Sequence, residues 1–185
     1  MKKAFPGTLF LVVGNSGSGK DSIIAGAMKK YPDNLKKLHV PKRYITRPAG
    51  EYEQNISITE KEFKQMKRAG RFALSWHIYH LYYGVPIEID KWLQAGEPVV
   101  VNVSRTIIDD ARTKYRNLKV IFIKVPFEVT FKRIKERGRE TGTLLQERIK
   151  RAKTHQTCDK ADYLVDNSGT LDQSVDQFLE LLILN

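Results

Sequence analysis

The stretch Thr8-Leu9-Phe10-Leu11-Val12-Val13-Gly14-Asn15-Ser16-Gly17-Ser18-Gly19-Lys20-Asp21-Ser22 decides how the rest of the chain is read. Thr8 to Val13 is an unbroken run flanked by Gly7 and Gly14, the pattern of a strand buried on both faces. The next seven residues fit G-x-x-x-x-G-K, and the segment from Lys20 to about Lys30 reads as a helix, broken by Tyr31-Pro32-Asp33-Asn34. Strand, glycine loop and helix in this order make an anion site. The glycines let successive backbone N–H groups turn inward, and the helix start adds unpaired donors and the positive end of its dipole. A lysine at the end of the loop carries a point charge to the β- and γ-phosphates. A plain glycine-rich turn would account for the glycines but not for Lys20 in register. Gly14, Asn15, Ser16, Gly17, Ser18, Gly19, Lys20, Asp21 and Ser22 are therefore read as an ATP-binding loop, with Lys20 also catalytic.

One position departs from the usual pattern. Asp21 stands where Ser or Thr normally holds Mg²⁺, with Ser22 one place later. Asp21 either ligates Mg²⁺, directly or through water, or only places an anion at a helix N-terminus. A second buried run, Val99-Val100-Val101, ends in Asn102 where an acid is common in such enzymes, so Asp21 is a candidate for the missing negative charge.

Outward from the loop, apolar runs recur at 98–103 and 119–125, with a last strand candidate at 162–166. Helical segments follow at about 106–116, 127–137, 143–155 and 171–184, the middle two separated by Gly138 and Gly142. Alternating strands and helices predict an α/β fold, a parallel sheet covered by helices. Residues 36–94 interrupt the alternation. They suggest a short strand at Lys37–Tyr44, a loop over 46–55 and a helix capped by Thr59 with Glu62 as its capping-box partner. Short strands with a turn over Arg71–Tyr83 and a helix from Glu88 that stops near Gly96 complete the insertion. At 185 residues one domain is expected, with a core of about 1–35, 95–130 and 156–185.

Composition narrows the function classes. No apolar run approaches the roughly 18 residues of a membrane span, and the N-terminal apolar run is too short and wrongly followed for a signal peptide. The single cysteine, Cys158, forms no internal disulfide and has no zinc-type spacing around it, which suits a cytoplasmic location. There are 32 Lys and Arg against 21 Asp and Glu, a net charge of +11, so an anionic partner is expected. The excess is segmental: 10 − 2 = +8 over residues 1–50, 9 − 3 = +6 over 131–153, and 1 − 6 = −5 over 154–185. No basic low-complexity arm accompanies it, so neither nucleic acid nor a membrane is the expected partner, and nothing in the pattern sets the oligomeric state.

Several motifs together resemble the guanylate-kinase-like phosphotransferases. They are the phosphate loop, Thr46-Arg47-Pro48 with Glu51 following, Tyr82-Tyr83-Gly84, the series Arg133…Arg137-Gly138…Arg148, and Asn167 by the last strand. The resemblance implies a nucleoside-kinase-like P-loop sheet flanked by helices, an acceptor-binding insertion at 36–94 and a helical lid at about 131–155 that closes over ATP. The acceptor positions depart from guanylate kinases. Ser75, in Phe72-Ala73-Leu74-Ser75-Trp76-His77, stands where that family has a Glu that reads guanine, and the acidic segment after the middle strand is Val101-Asn102-Val103-Ser104-Arg105. Without those carboxylates the paired hydrogen bonds that select guanine are missing.

A closer resemblance is to the ribose 1,5-bisphosphate phosphokinases of bacterial phosphonate degradation. It rests on Gly14 to Ser22 with its Asp21, Arg43-Tyr44-Ile45-Thr46-Arg47, Leu74-Ser75-Trp76-His77, Leu81-Tyr82-Tyr83-Gly84-Val85, Glu88-Ile89-Asp90 with Trp92-Leu93, Val100-Val101-Asn102 with Ser104-Arg105, and Arg137-Gly138-Arg139-Glu140. This implies transfer of the ATP γ-phosphoryl group to a phosphorylated sugar, ribose 1,5-bisphosphate, with Mg²⁺ as cofactor. Arg43, Arg47 and Arg105 are then candidate phosphate forks on the acceptor side. Thr46, Ser75, His77, Tyr83, Asn102 and Ser104 are candidate acceptor contacts. Arg133 is a candidate ATP contact, and Arg137 and Arg148 are candidate catalytic lid residues, with Arg139 beside them. The competing readings are a guanylate or other nucleoside monophosphate kinase, and a non-catalytic binding module, against which the intact Lys20 speaks. Bland readings exist as well: surface arginines in weak ion pairs, Tyr82 and Tyr83 as packing residues with polar tips, His77 and His80 as strand-face histidines.

Overall fold

Five consecutive residues of β1 (Leu9–Val13) are wholly buried, as a strand with apolar side chains on both faces requires. The computed structural model describes residues 2–48, 55–138 and 141–185, with Arg137 through its backbone alone. After β1 come α1 (Lys20–Lys30), β2 (Tyr44–Ile45), β3 (Ile56–Ser57), α2 (Glu60–Arg68), β4 (Phe72–Ile78), β5 (Leu81–Pro86), α3 (Ile89–Gln94) and β6 (Val99–Asn102). A 3-10 turn at Arg105–Ile107 leads into α4 (Ile108–Lys114), followed by β7 (Leu118–Lys124), α5 (Phe127–Arg137), α6 (Gly142–Thr154), β8 (Tyr163–Asp166) and α7 (Leu171–Ile183). The first sheet has the strand order β6-β1-β7-β8 and the second the order β3-β2-β5-β4. β7 and β8 run parallel, Ile121 opposite Tyr163 and Lys124 opposite Asp166.

Two segments differ from the sequence expectation. The strand expected over Lys37–Tyr44 shrinks to a single bridge at His39 and the two residues of β2. Pro41 has no N–H to give to a ladder, so pairing cannot run through it. The helix expected from Thr106 opens as the 3-10 turn and becomes α-helical only at Ile108. Ser104 caps that turn, its hydroxyl accepting from Thr106 N at 3.3 Å.

The chain forms two compact units, residues 1–10 with 36–118, and residues 11–35 with 119–185. In the first, α2 packs on the β4–β5 hairpin through Phe63, whose ring lies 4.8 Å from Phe72 and 5.2 Å from Tyr82. Thr59 and Glu62 form the capping box that starts α2, each side chain engaging the other's backbone N–H. The hairpin turns through two residues, Tyr79 (φ 52) and His80 (φ 59), the signs of a type I′ turn. A buried phenol anchors the N-terminal segment: Tyr115 Oη donates to Asp90 Oδ1 at 2.6 Å, and Lys3 pairs with the same carboxylate. Burial, with the carboxylate as its acceptor, raises the Tyr115 phenol far above its ordinary value, so it stays a donor.

In the second unit, α1 lies against α7 and α5 against α6. Gly26 marks the α1–α7 contact, because a Cβ there would sit 2.5 Å from Cγ2 of Val175. Alanine would gain up to about 1 kcal/mol in helix propensity. It would also push against a buried, β-branched side chain with one favoured rotamer, and overpacking of that kind costs about 1–3 kcal/mol. Gly26→Ala is therefore expected to lower stability in urea denaturation, and to raise it in a Val175→Ala background. A stabilised Gly26→Ala single variant would contradict this account of the contact.

Candidate active site

The loop between β1 and α1 folds around its own lysine. Lys20 Nζ donates to the carbonyls of Gly14 and Asn15, both at 2.9 Å, and to Ser18 Oγ at 3.2 Å. Gly17 (φ 79) and Gly19 (φ 84) hold the left-handed conformation that reverses successive peptides and turns their N–H groups to one side. Side chains would strain both positions, and at Gly19 a Cβ would also lie 2.5 Å from Asn167 Nδ2. Ser18 is buried, whereas Asp21 and Ser22 are exposed in the first turn of α1. Backbone donors, a lysine and a helix start at one place suit a polyphosphate.

Helices α5 and α6 meet this loop from the same unit. Arg148 is largely buried, and its Nη1 donates to Ser16 Oγ at 2.6 Å. Arg133 Nη1 reaches the Gly17 carbonyl at 3.2 Å. In return, Asn15 Nδ2 donates to Ala152 O (3.2 Å) and His155 O (3.0 Å), carbonyls at the C-terminal end of α6 that lack helical partners of their own. Lys20, Arg133 and Arg148 are thus brought together around the loop. Arg137 is the last residue of α5, and its side chain lies outside the described residues, as do Glu51, Arg139 and Glu140.

The acceptor-side candidates all belong to the other unit. Arg43 Nη1 donates to the Asn102 carbonyl at 2.7 Å, which joins the residue before β2 to the end of β6. The 3-10 turn that carries Arg105 packs on β4, and Ser104 sits at its cap. Thr46 serves the backbone: its Oγ1 accepts from Tyr82 N at 2.9 Å. Arg47 is half-buried, with Nη1 3.2 Å from the Pro48 carbonyl. The hairpin register separates the remaining candidates. Ser75 pairs with Gly84, Trp76 with Tyr83 and His77 with Tyr82. Alternation along a strand therefore places Ser75 and His77 on one face, with Tyr82 beneath α2, and Tyr83 on the other, stacked on Trp76 at 5.1 Å.

Two buried side chains near the loop were not among the candidate site residues. Asn167, after β8, donates from Nδ2 to Ser18 O at 2.8 Å, and Ser174 in α7 donates to Asn167 Oδ1 at 2.9 Å. Asn167 was visible in the sequence only as part of the family pattern. Ser174 carries no motif. The available signal was Thr170 with Gln173, a capping box that starts α7 and sets Ser174 one turn beyond Thr170.

The guanylate kinase family model matches residues 7–183. The chain belongs to the guanylate kinase family, on the branch whose members carry the name ribose 1,5-bisphosphate phosphokinase PhnN. It is 41% identical over 181 residues to the protein of that name from Enterobacter lignolyticus, covering 95% of this chain and 92% of the other. The protein of that name from Klebsiella pneumoniae subsp. pneumoniae is 42% identical over 182 residues, covering 96% and 93%. The crystal structure of guanylate kinase from Anaplasma phagocytophilum superposes with a TM-score of 0.71 at 16% identity, covering 100% of this chain and 88% of that one, a likeness of fold.

The contact of Asn15 with α6 is open to test. Asn15→Ala removes two donors to helix-terminal carbonyls, each worth about 0.5–1.5 kcal/mol. Amide exchange in the last turn of α6 should speed up by about tenfold or more while β7 exchanges as before. Unchanged exchange in α6 would mean that Asn15 does not hold the helix.

Proposed function

We propose that the chain transfers the γ-phosphoryl group of ATP to the 1-phosphate of ribose 1,5-bisphosphate, yielding 5-phosphoribosyl 1-diphosphate and ADP. The observation that carries this reading is the 41–42% identity, over at least 92% of each chain, to proteins named ribose 1,5-bisphosphate phosphokinase. Ser75 supports it, since a hydroxyl there offers no carboxylate to a guanine edge.

An oxygen of the acceptor 1-phosphate attacks the γ-phosphorus in line. The bond from γ-phosphorus to the β,γ-bridging oxygen breaks, and ADP leaves with the electron pair. The attacking oxygen is already anionic, so no general base is needed. What the site must supply is position and positive charge. The N–H groups of the loop cradle the phosphate chain, and Lys20 neutralises the β- and γ-phosphates. Arg133, Arg148 and Arg137 act from α5 and α6 on the transferring group. Arg43, Arg47 and Arg105 grip the acceptor phosphates with guanidinium forks, and Asn102 and Ser104, with Ser75 and His77 from one face of the hairpin, are the remaining acceptor contacts. Tyr83, on the opposite face, is left to pack on Trp76, and Thr46 to hold the Tyr82 N–H.

Asp21 with Ser22 would hold Mg²⁺ bound with ATP, which would supply further charge neutralisation of the phosphates. That fits the donors present: Asp21 and Ser22 are exposed oxygen donors in the first turn of α1, directly after the loop, and Mg²⁺ in kinases takes one or two carboxylates plus phosphates and waters. The site works as a small-molecule kinase in the cytoplasm. No helix among the described residues is long and apolar enough to cross a membrane.

Two measurements test this reading. ADP release by the wild-type chain should proceed with ribose 1,5-bisphosphate at a kcat/KM at least about a hundredfold above that with GMP. Preference for GMP would make the chain a nucleotide kinase. Asp21→Asn should raise the Mg²⁺ concentration needed for half-maximal rate several-fold. An unchanged Mg²⁺ dependence would remove Asp21 from the metal site.

A further inference from the structure

We infer that Asn167 is a positioning residue for this reaction: its side-chain amide, locked by Ser174, orients the Ser18–Gly19 peptide so that the Gly19 N–H faces the bound phosphates. The inference rests on reading the loop as the phosphate site. Asn167 is 3% exposed and its own place is set by the sheet, since its backbone N–H donates to Lys124 O at 2.8 Å, where β7 and β8 end their pairing. The amide orientation follows from chemistry. The Ser18 carbonyl, 2.8 Å away, can only accept, so the NH₂ group must face it and Oδ1 must face Ser174. Ser174 is fully buried, and its hydroxyl lies 2.9 Å from Asn167 Oδ1, 3.0 Å from Asp166 O and 3.2 Å from Thr170 O. The asparagine is held at both ends of its amide.

A trans peptide directs its C=O and its N–H to opposite sides, and the described chain has no cis bond. Anchoring the Ser18 carbonyl on Asn167 therefore sends the Gly19 N–H the other way, into the concave side of the loop. The amide occupies the outer side so closely that a Cβ on Gly19 would come within 2.5 Å of Nδ2. A peptide that leads into a glycine of positive φ, with a second such glycine two residues before it, has other orientations within reach. The hydrogen bond to Asn167 selects one of them before nucleotide arrives, which is preorganisation of a donor for developing and resident charge.

Calorimetric titration of ADP into the full-length chain tests this without any acceptor, so the result stands apart from the choice of sugar. Asn167→Asp keeps the size of the side chain but sets an oxygen against the Ser18 carbonyl. Asn167→Ala removes the donor and leaves space. If donation is what matters, Asn167→Asp weakens ADP binding at least as much as Asn167→Ala, by about tenfold or more, and Ser174→Ala, a one-atom change, weakens it by about threefold. KM for the acceptor should not move in the variants. Wild-type affinity in Asn167→Asp with a loss in Asn167→Ala would assign Asn167 a packing role and overturn the inference. So would lowered thermal stability in Ser174→Ala with unchanged ADP affinity. Failure of the wild-type chain to bind ADP would instead overturn the phosphate-site reading itself.

Discussion

Phosphate repels phosphate, and a kinase whose acceptor is itself a phosphate meets that repulsion in full. Two unit charges 4 Å apart repel by about 1 kcal/mol in water and about 4 kcal/mol near a protein surface, and ATP with a sugar bisphosphate brings several such pairs together. The features of this chain that bear on function answer that one constraint. The net charge of +11 is concentrated before residue 50 and between 131 and 153, where the phosphate loop, Arg43, Arg47 and the α5–α6 arginines lie. Because no proton has to be removed from the acceptor, the site needs cations and fixed donors in place of a base.

A phosphate loop is useful only if its peptides are held before the ligand arrives. Here each of its variable positions is tied to an element of the same unit. Asn15 is tied to the end of α6, Ser16 to Arg148, the Gly17 carbonyl to Arg133 and the Ser18 carbonyl to Asn167. The first three ties come from the α5–α6 segment and the fourth from the end of β8. A shift of α6 therefore acts on Asn15 and Ser16 directly, whereas Asn167 keeps its grip through the sheet. In this arrangement Arg133, Arg148 and the loop form one hydrogen-bonded network, to which Asn167 adds a tie from the end of β8.

Much of this was legible in the chain itself, for identifiable reasons. The Thr8–Ser22 stretch encodes strand, loop and helix at once, because apolar run, glycine spacing and lysine are all local signals. The capping box at Thr59 and Glu62 is likewise local and was read correctly. The hairpin tip shows the limit: its type I′ turn is made by Tyr79 and His80, without the Asn-Gly or Asp-Gly that normally marks one, so the turn was expected but its length was not. The division of Ser75 and His77 from Tyr83 depends on strand register, which spacing alone does not reveal. Asn167 meets Ser18 across 149 residues of sequence, with Ser174 joined to it only through the Asn167 amide, and a contact at that separation leaves no periodic trace.

The central claim is that a phosphate oxygen, and not a hydroxyl or a nucleotide, accepts the phosphoryl group. Phosphorus NMR of the product formed from ATP, Mg²⁺ and ribose 1,5-bisphosphate addresses it directly. The account predicts two mutually coupled diphosphate signals on the ribose 1-position, growing in step with ADP, with the 5-phosphate signal unchanged and no reaction by Lys20→Ala. A new monophosphate ester signal, or conversion of GMP to GDP in place of any sugar diphosphate, would contradict it.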